Sequence, residues 1–360
     1  MTGRRLSVWP PLPPAIHGRR PRPLPFPFDR PHRLYSRARH GLWHAVRSSG
    51  LRTGDVVLAP AFHHGSEIEA LIRAGLEVRF YELDERLAPE SGVDDLVDDR
   101  VKAFHLTHVL GVPQDARRWR KWADDRGLLL IEDVAQGWPG RAGGQPVGTC
   151  GDISIFCVYK TFGVPDGGAV VAPSLPSEPD AGDMGGRRLL RRHASWAISR
   201  SSGAARALMR FQQRHDFSHE ADISLGHPTR GPLRATRYAL PRVFDTRAPE
   251  RRRANFRYLR NELENLFSPA FDVDLDEASP FAFPIEVDAK ERVDQELIEA
   301  GIGPERFWAF PHPALEAQRF PRSTRLRQRL LALPVHQELT RRDLERIVEA
   351  TRRAVRTAHG

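Results

Sequence analysis

The sequence predicts an α/β protein: a mostly parallel sheet sandwiched by helices, with a smaller C-terminal α+β domain. Three observations predict it. Short apolar runs alternate with stretches whose apolar residues recur at helical spacing, the pattern of strand–helix–strand units. The runs are apolar at consecutive positions, so both faces of each strand are buried, as in a parallel sheet covered on two sides. Past about residue 180 the alternation gives way to long Arg-rich helical stretches.

Residues 1–33 ("WPPLPPAIHGRRPRPLPFPFDRP" within them) hold too many prolines for a helix or a central strand. They read as an extended arm needing a surface to lie on, such as a partner subunit. Residues 34–180 form the large domain. A helix over 39–49 leads into the strand "DVVLAP" (55–60), the helix "SEIEALIRAG" (66–75) and the strand "EVRFYEL" (77–83). The strand "VKAFHLTHVLG" (101–111), the helix "DARRWRKWADDRG" (115–127) and the strand "LLLIED" (128–133) follow, then the runs Ile153–Val158 and Ala169–Ala172. Residues 181–360 form a helical linker region and the smaller domain. Helices are expected over 185–215 and 246–266, a strand at "FAFPIEV" (281–287) and a closing amphipathic helix over 340–355.

At 360 residues, 40% hydrophobic and 28% charged, the chain fits a soluble globular enzyme. No apolar run approaches the roughly 18 residues of a membrane span, and the Pro-rich N-terminus has no apolar signal core. A cytoplasmic protein is expected, with no membrane partner and with Cys150 and Cys157 reduced. The net charge of +9 favours anionic ligands. The Arg residues are nevertheless spread through helices with Glu or Asp nearby, and no nucleic-acid motif accompanies them, so no nucleic-acid partner is expected. No metal site is read.

Only four lysines occur: Lys102, Lys121, Lys160 and Lys290. The chain writes Arg wherever a positive charge suffices, so a remaining Lys hints that an amine is wanted. Lys102, Lys121 and Lys290 have charged or polar neighbours and read as surface residues. Lys160 has an apolar run behind it and a Gly/Pro-rich turn ahead. Amines form Schiff bases; guanidinium groups do not. A solvated strand-end lysine is the plainer alternative.

Other strand ends carry Glu132, Asp133 and Gln136, then His105 and His108, then His63 and His64. In an α/β sheet these ends gather at one edge. The helix beginning in "YSRARHGLW" offers free backbone N–H groups to an anion. An amine, a carboxylate, an amide, an imidazole and a phosphate cradle are the set that pyridoxal 5'-phosphate requires. Asp133 taken alone also reads as a helix N-cap, His105 and His108 as satisfied buried histidines, and Cys157 as a small core residue. Trp138 and Trp308 read either as pocket walls or as packing, and His312 as structural.

The segments "GDVVLAPAFHH", "AGLEVRFYELD", "VKAFHLTHVLGVPQD", "LLLIEDVAQGWPG" and "GGQPVGTCGDISIFCVYKTFGVPDGGAVVAP" resemble the PLP-dependent nucleotide-sugar aminotransferases of the DegT/StrS type, fold type I. Further similarity lies in "RRRANFRYLRNEL" and "LALPVHQELTRRDLERI", so that the resemblance runs from about 35 to 355. It implies transfer of an amino group from glutamate or glutamine to a keto-sugar, nucleotide-linked, through a Lys160 Schiff base. It further implies Asp133 as partner of the pyridine nitrogen, Gln136 as contact to the ring hydroxyl and His64 as the ring against the cofactor. Ala38 and Arg39 fall where the family has a Gly-Thr or Gly-Ser phosphate cup, and Cys157 where a phosphate-binding Ser is common.

The Gly151–Lys160 segment is about two residues shorter than usual, and the family's Asn-containing segment is not found near 219–236. A homodimer is expected, its phosphate cup completed by an Arg of the neighbouring chain from 187–192 or from Arg230–Arg237. A PLP lyase or dehydratase, and a non-catalytic or partner-dependent protein of the same fold, are the alternative readings; the lysine argues against a dehydratase that replaces it with His.

Overall fold

The computed structural model describes residues 4–199 and 223–359. After a short N-terminal strand, β1 (Leu6–Ser7), the large unit opens with β2 (Arg33–Tyr35) and α1 (Ala38–Arg47). It continues through β3 (Val56–Pro60), α2 (Ser66–Arg73), β4 (Glu77–Tyr81), β5 (Val101–Thr107), α3 (Ala116–Asp124) and β6 (Leu129–Val134). A hairpin of β7 (Arg141–Ala142) and β8 (Gln145–Pro146) precedes β9 (Ile153–Cys157), the one-turn helix α4 (Val158–Thr161) and β10 (Gly168–Val171). A seven-stranded sheet runs in the order β2-β10-β9-β6-β5-β3-β4. Neighbours among β4, β3, β5, β6 and β9 are parallel, and β10 runs antiparallel to both β9 and β2.

Alternation within the strands builds both layers. Val57, Ala103, Ile131 and Ile155 pack with Leu42 and Val46 of α1 and Ala70 and Leu71 of α2. Leu58, Phe104 and Leu130 pack with Trp119 and Ala123 of α3 and with the C-terminal region. Each such aliphatic side chain contributes about 1.5–3 kcal/mol of burial, so the sheet face beneath the site is firmly held. β3 leads outward to β4, and the chain then returns to β5 on the other side of β3. The ends of β3 and β5 therefore flank a switch in strand order, where α/β sheets open a crevice.

The C-terminal part contributes α5 (Gly186–Ser199), α6 (Arg234–Val243), α7 (Ala248–Glu262), β11 (Ala282–Glu286), α8 (Lys290–Glu299), β12 (Ile302–Gly303), α9 (Pro321–Arg329), β13 (Leu330–Pro334) and α10 (Arg341–His359). β11 and β13 pair antiparallel, and β1 pairs with β12. The expected helix over 185–215 is seen as Gly186–Ser199; its remainder lies outside the described residues.

Three expectations are corrected. The strand expected to reach Val158 ends at Cys157. Val158 donates its N–H to Gly167 O at 3.1 Å and starts α4; Gly167 adopts φ +119 to make that return, a conformation glycine takes freely. Lys290, expected at the surface, is buried, with its Nζ donating to Arg327 O at 2.6 Å. The arm lies on its own chain: Leu6, Val8, Leu12, Ile16 and Phe26 are all buried within it.

Candidate active site

The carboxyl ends of β3, β5, β6 and β9 face one cavity of about 1090 Å3. Lys160, Asp133, Gln136, His64, Cys157, Ala38 and Arg39 all line it, so the fold brings together every residue that the sequence singled out for cofactor chemistry. α4 carries Lys160 directly off the end of β9 and holds it at the cavity wall. The carbonyl of the next residue, Thr161, accepts from Arg252 Nη2 and Gln337 Nε2, both at 3.0 Å, and its hydroxyl donates to Trp138 O at 2.6 Å. The Lys160 Nζ makes no hydrogen bond or ion pair with a described residue. Burial works against its ammonium form, and the Asp133 and Glu67 carboxylates work for it.

Asp133, the last residue but one of β6, lies opposite Thr107 of β5. Its Oδ1 accepts from Ala135 N at 2.8 Å, and its Oδ2 lies 3.7 Å from His105 Nε2. Burial pushes this carboxyl up from its ordinary value, against the pull of Ala135 N–H, Lys160 and His108. Burial also takes His105 down to about 4, so the imidazole is neutral at pH 7 and supplies no countercharge. A buried carboxylate facing a cavity without an ion-pair partner in contact is an arrangement that a protonated ring nitrogen would satisfy. Gln136 Oε1 accepts from Leu110 N at 2.7 Å. That bond fixes the amide's orientation and leaves its NH2 to donate to an oxygen acceptor.

The neighbouring acid has a different task. Glu132 is buried and accepts from His108 Nε2 (2.9 Å) and from the N–H groups of Gly148, Cys150 and Gly151 (2.7, 2.9 and 2.8 Å). His108 Nδ1 in turn accepts from Gln114 N at 3.0 Å. This is a closed structural network. His312 is likewise structural, bridging Glu69 at 3.1 Å and His63 at 3.0 Å. Trp138 donates to Phe26 O at 2.7 Å and packs against Phe28 and Phe162, away from the cavity. Trp308 does line it; its backbone adopts φ +48, and its carbonyl accepts from Arg327 Nη1 at 2.6 Å.

Around the phosphate-cup positions, Ala38 opens α1, Arg39 Nη1 donates to Ser224 O at 2.8 Å, and burial raises the Cys157 thiol so that it stays protonated. Arg188, Arg192 and Arg230, expected to reach a neighbouring chain's cup, line the cavity of their own chain. Residues missed in the sequence also meet here. Glu67 is a buried carboxylate on the cavity wall, accepting from His64 N at 2.9 Å. Arg37 and Tyr159 flank Cys157, the Arg37 guanidinium lying 5.0 Å from the Tyr159 ring centre. A lysine amine, a buried carboxylate, a fixed amide donor and an arginine-rich corner on one cavity have the chemistry that would suit pyridoxal phosphate.

Residues 35–177 and 240–352 match the DegT/DnrJ/EryC1/StrS aminotransferase family, and the chain belongs to that family of transferases. It is 28% identical over 336 residues to the UDP-N-acetyl-3-dehydro-alpha-D-glucosamine 3-aminotransferase of Acidithiobacillus ferrooxidans, covering 88% of this chain and 81% of the relative. It is 31% identical over 135 residues to the GDP-perosamine synthase of Vibrio cholerae, 36% of each chain. In fold it is similar to Helicobacter pylori PseC, an aminotransferase involved in the biosynthesis of pseudoaminic acid. That likeness has a TM-score of 0.67 at 15% identity, over 91% of this chain and 87% of the other.

Proposed function

We propose that this protein is a pyridoxal 5'-phosphate-dependent aminotransferase that moves an amino group from glutamate or glutamine to a nucleotide-linked keto-sugar. The observation that carries the reading is the convergence of the Lys160 amine, the buried Asp133 carboxylate and the Gln136 amide on one cavity. The named relatives, which act on UDP- and GDP-linked sugars, support the acceptor class. So does the size of the cavity, just above the roughly 300–1,000 Å3 usual for a single small ligand.

When bound, the cofactor supplies the electron sink for breaking the substrate's Cα–H bond. Asp133 would hold the ring nitrogen protonated, Gln136 would donate to the ring hydroxyl oxygen and His64 would line the ring's side of the cavity. Lys160 would bind the aldehyde carbon and, as a free amine, move the proton to and from substrate carbon. We place the enzyme in the cytoplasm as a homodimer, a state that light scattering at micromolar concentration checks.

The test is a half-reaction. Protein loaded with cofactor is mixed with glutamate or glutamine, without acceptor, and the keto-acid product is counted per site. One equivalent from wild type and none from Lys160→Ala is expected; adding a UDP- or dTDP-linked keto-sugar then restores turnover. No keto-acid from either donor contradicts the proposal.

A further inference from the structure

One corner of the cavity carries three arginines that no described carboxylate meets in an ion pair, although the Asp166 charge favours them. Arg37 lies there over Tyr159, and Arg188 and Arg192, one turn apart on α5, reach the same cavity. None of the three forms an ion pair with a described carboxylate, whereas Arg230 on the same wall is paired with Asp183 at 2.8 Å and Arg306 with Asp294 at 2.6 Å. The nearby acid, Asp166, is committed elsewhere: it accepts from the Thr236 hydroxyl and from Leu233 N at 3.2 Å. Burial, and then the charge of Arg37, pulls Arg192 below the ordinary guanidinium value. Two like charges partly removed from water in one corner cost stability unless an anion joins them. Burial keeps the Tyr159 phenol protonated, and therefore a donor. α1 begins at the same corner with no acid in its first turn and no side-chain cap.

We propose that Arg37 and Arg192, with the Tyr159 hydroxyl, form a phosphate-binding cradle supplied by a single chain, and that it holds the phosphate monoester of the cofactor. This rests on the pyridoxal phosphate reading above and adds to it that the arginines come from the same subunit as Lys160. The chemistry fits: guanidinium groups donate in a planar fork to phosphate oxygens and stay charged across the working pH range. Position favours the cofactor's phosphate over a substrate diphosphate. Tyr159 is the residue beside Lys160, and Cys157 is the last residue of the strand that delivers it, so the unpaired charge sits at the Lys160 end of the cavity. At the wall formed by Phe307 and Trp308, Arg306 is already neutralised by Asp294.

The experiment titrates cofactor-free protein with pyridoxal 5'-phosphate and, separately, with pyridoxal, which forms the same imine but has no phosphate. Affinities are read from imine absorbance and tryptophan fluorescence. Wild type should prefer the phosphorylated aldehyde. Arg192→Ala and Arg37→Ala should each cut that preference about 10- to 100-fold while leaving pyridoxal affinity within about twofold, which also shows that the variants are folded. Arg192→Lys should keep part of the preference. Arg191→Ala, an exposed charge on the same helix outside the cavity, should keep all of it. An unchanged preference in both alanine variants overturns the cradle. If the variants instead weaken binding of UDP and leave the aldehyde preference intact, the phosphate held here is the substrate's and the assignment to the cofactor is wrong. A wild type that takes up neither aldehyde overturns the cofactor reading and this one together, whereas imine formation without phosphate preference overturns this one alone.

Discussion

Asp133→Asn isolates the electronic role of the buried carboxylate. The substitution is nearly isosteric, and the asparagine Oδ1 can still accept the Ala135 N–H that Asp133 accepts at 2.8 Å. What it removes is a negative charge in a buried place, where His105, neutral with a pKa of about 4, supplies no countercharge. Because burial raises the Asp133 pKa, its ionised form costs stability. That cost is absent below the unfolded value of 3.8 and fully present above the raised folded value. The cofactor-free Asn variant should therefore melt no lower than wild type at pH 7. The effect on chemistry runs the other way. A carboxylate beside a pyridinium is worth about 1–3 pKa units, or about 1.4–4 kcal/mol. Losing it should slow amino transfer by about 10- to 1000-fold, since the ring nitrogen is then mostly unprotonated. The assay is single-turnover release of keto-acid from glutamate, with melting of the cofactor-free protein measured alongside. Turnover within about twofold of wild type would refute the reasoning and make Asp133 a cap or packing residue.

Three further outcomes are expected. Lys160→Arg should abolish the half-reaction with the fold intact. Lys121→Arg, at an exposed site paired with Asp125 at 3.0 Å, should change stability by less than about 0.5 kcal/mol and leave turnover alone; equal activity of the two variants would contradict the assignment. Arg252→Lys keeps the charge but loses the fork that reaches Thr161 O, Gln337 Oε1 and Pro280 O. It should cost about 2–4 kcal/mol in denaturant unfolding and lower turnover through the Lys160 turn, and a silent variant would show that this turn is held by other means. Lys290, buried, has its pKa lowered to about 8. Its charged form therefore opposes folding below pH 8, and that cost disappears as pH rises toward the unfolded value of 10.5. The stability of Lys290→Met relative to wild type should fall by on the order of 2–3 kcal/mol between pH 7 and pH 10, and a difference independent of pH in urea titrations would refute it.

The convergence of Lys160, Asp133 and Gln136 on one cavity was legible because each breaks a local rule. These are polar groups at or just past the ends of apolar strands, where burial demands a partner, and in a parallel sheet such strand ends converge. Arg37 and Arg192 break no rule. In a chain with four lysines among 55 basic residues, arginine is the ordinary cation, and nothing in the periodicity separates these two from the solvated ones. Glu67 was hidden in "SEIEALIR", where acids in a first helical turn are expected on surface helices. β13 was illegible for a different reason. "LLALP" lacks β-branched residues and becomes a strand through its register with β11, Leu331 opposite Ile285 and Leu333 opposite Phe283. Lys290 looked exposed beside Glu291 and Arg292, but its burial is decided by a carbonyl 37 residues away, that of Arg327.

The most direct test of the central claim is borohydride reduction of the protein incubated with pyridoxal phosphate, followed by peptide mass mapping. With only Lys102, Lys121, Lys160 and Lys290 to choose from, the account predicts one phosphopyridoxyl adduct, on the peptide containing Lys160, and loss of the imine absorbance on reduction. No adduct, or an adduct on any of the other three lysines in place of Lys160, would contradict it.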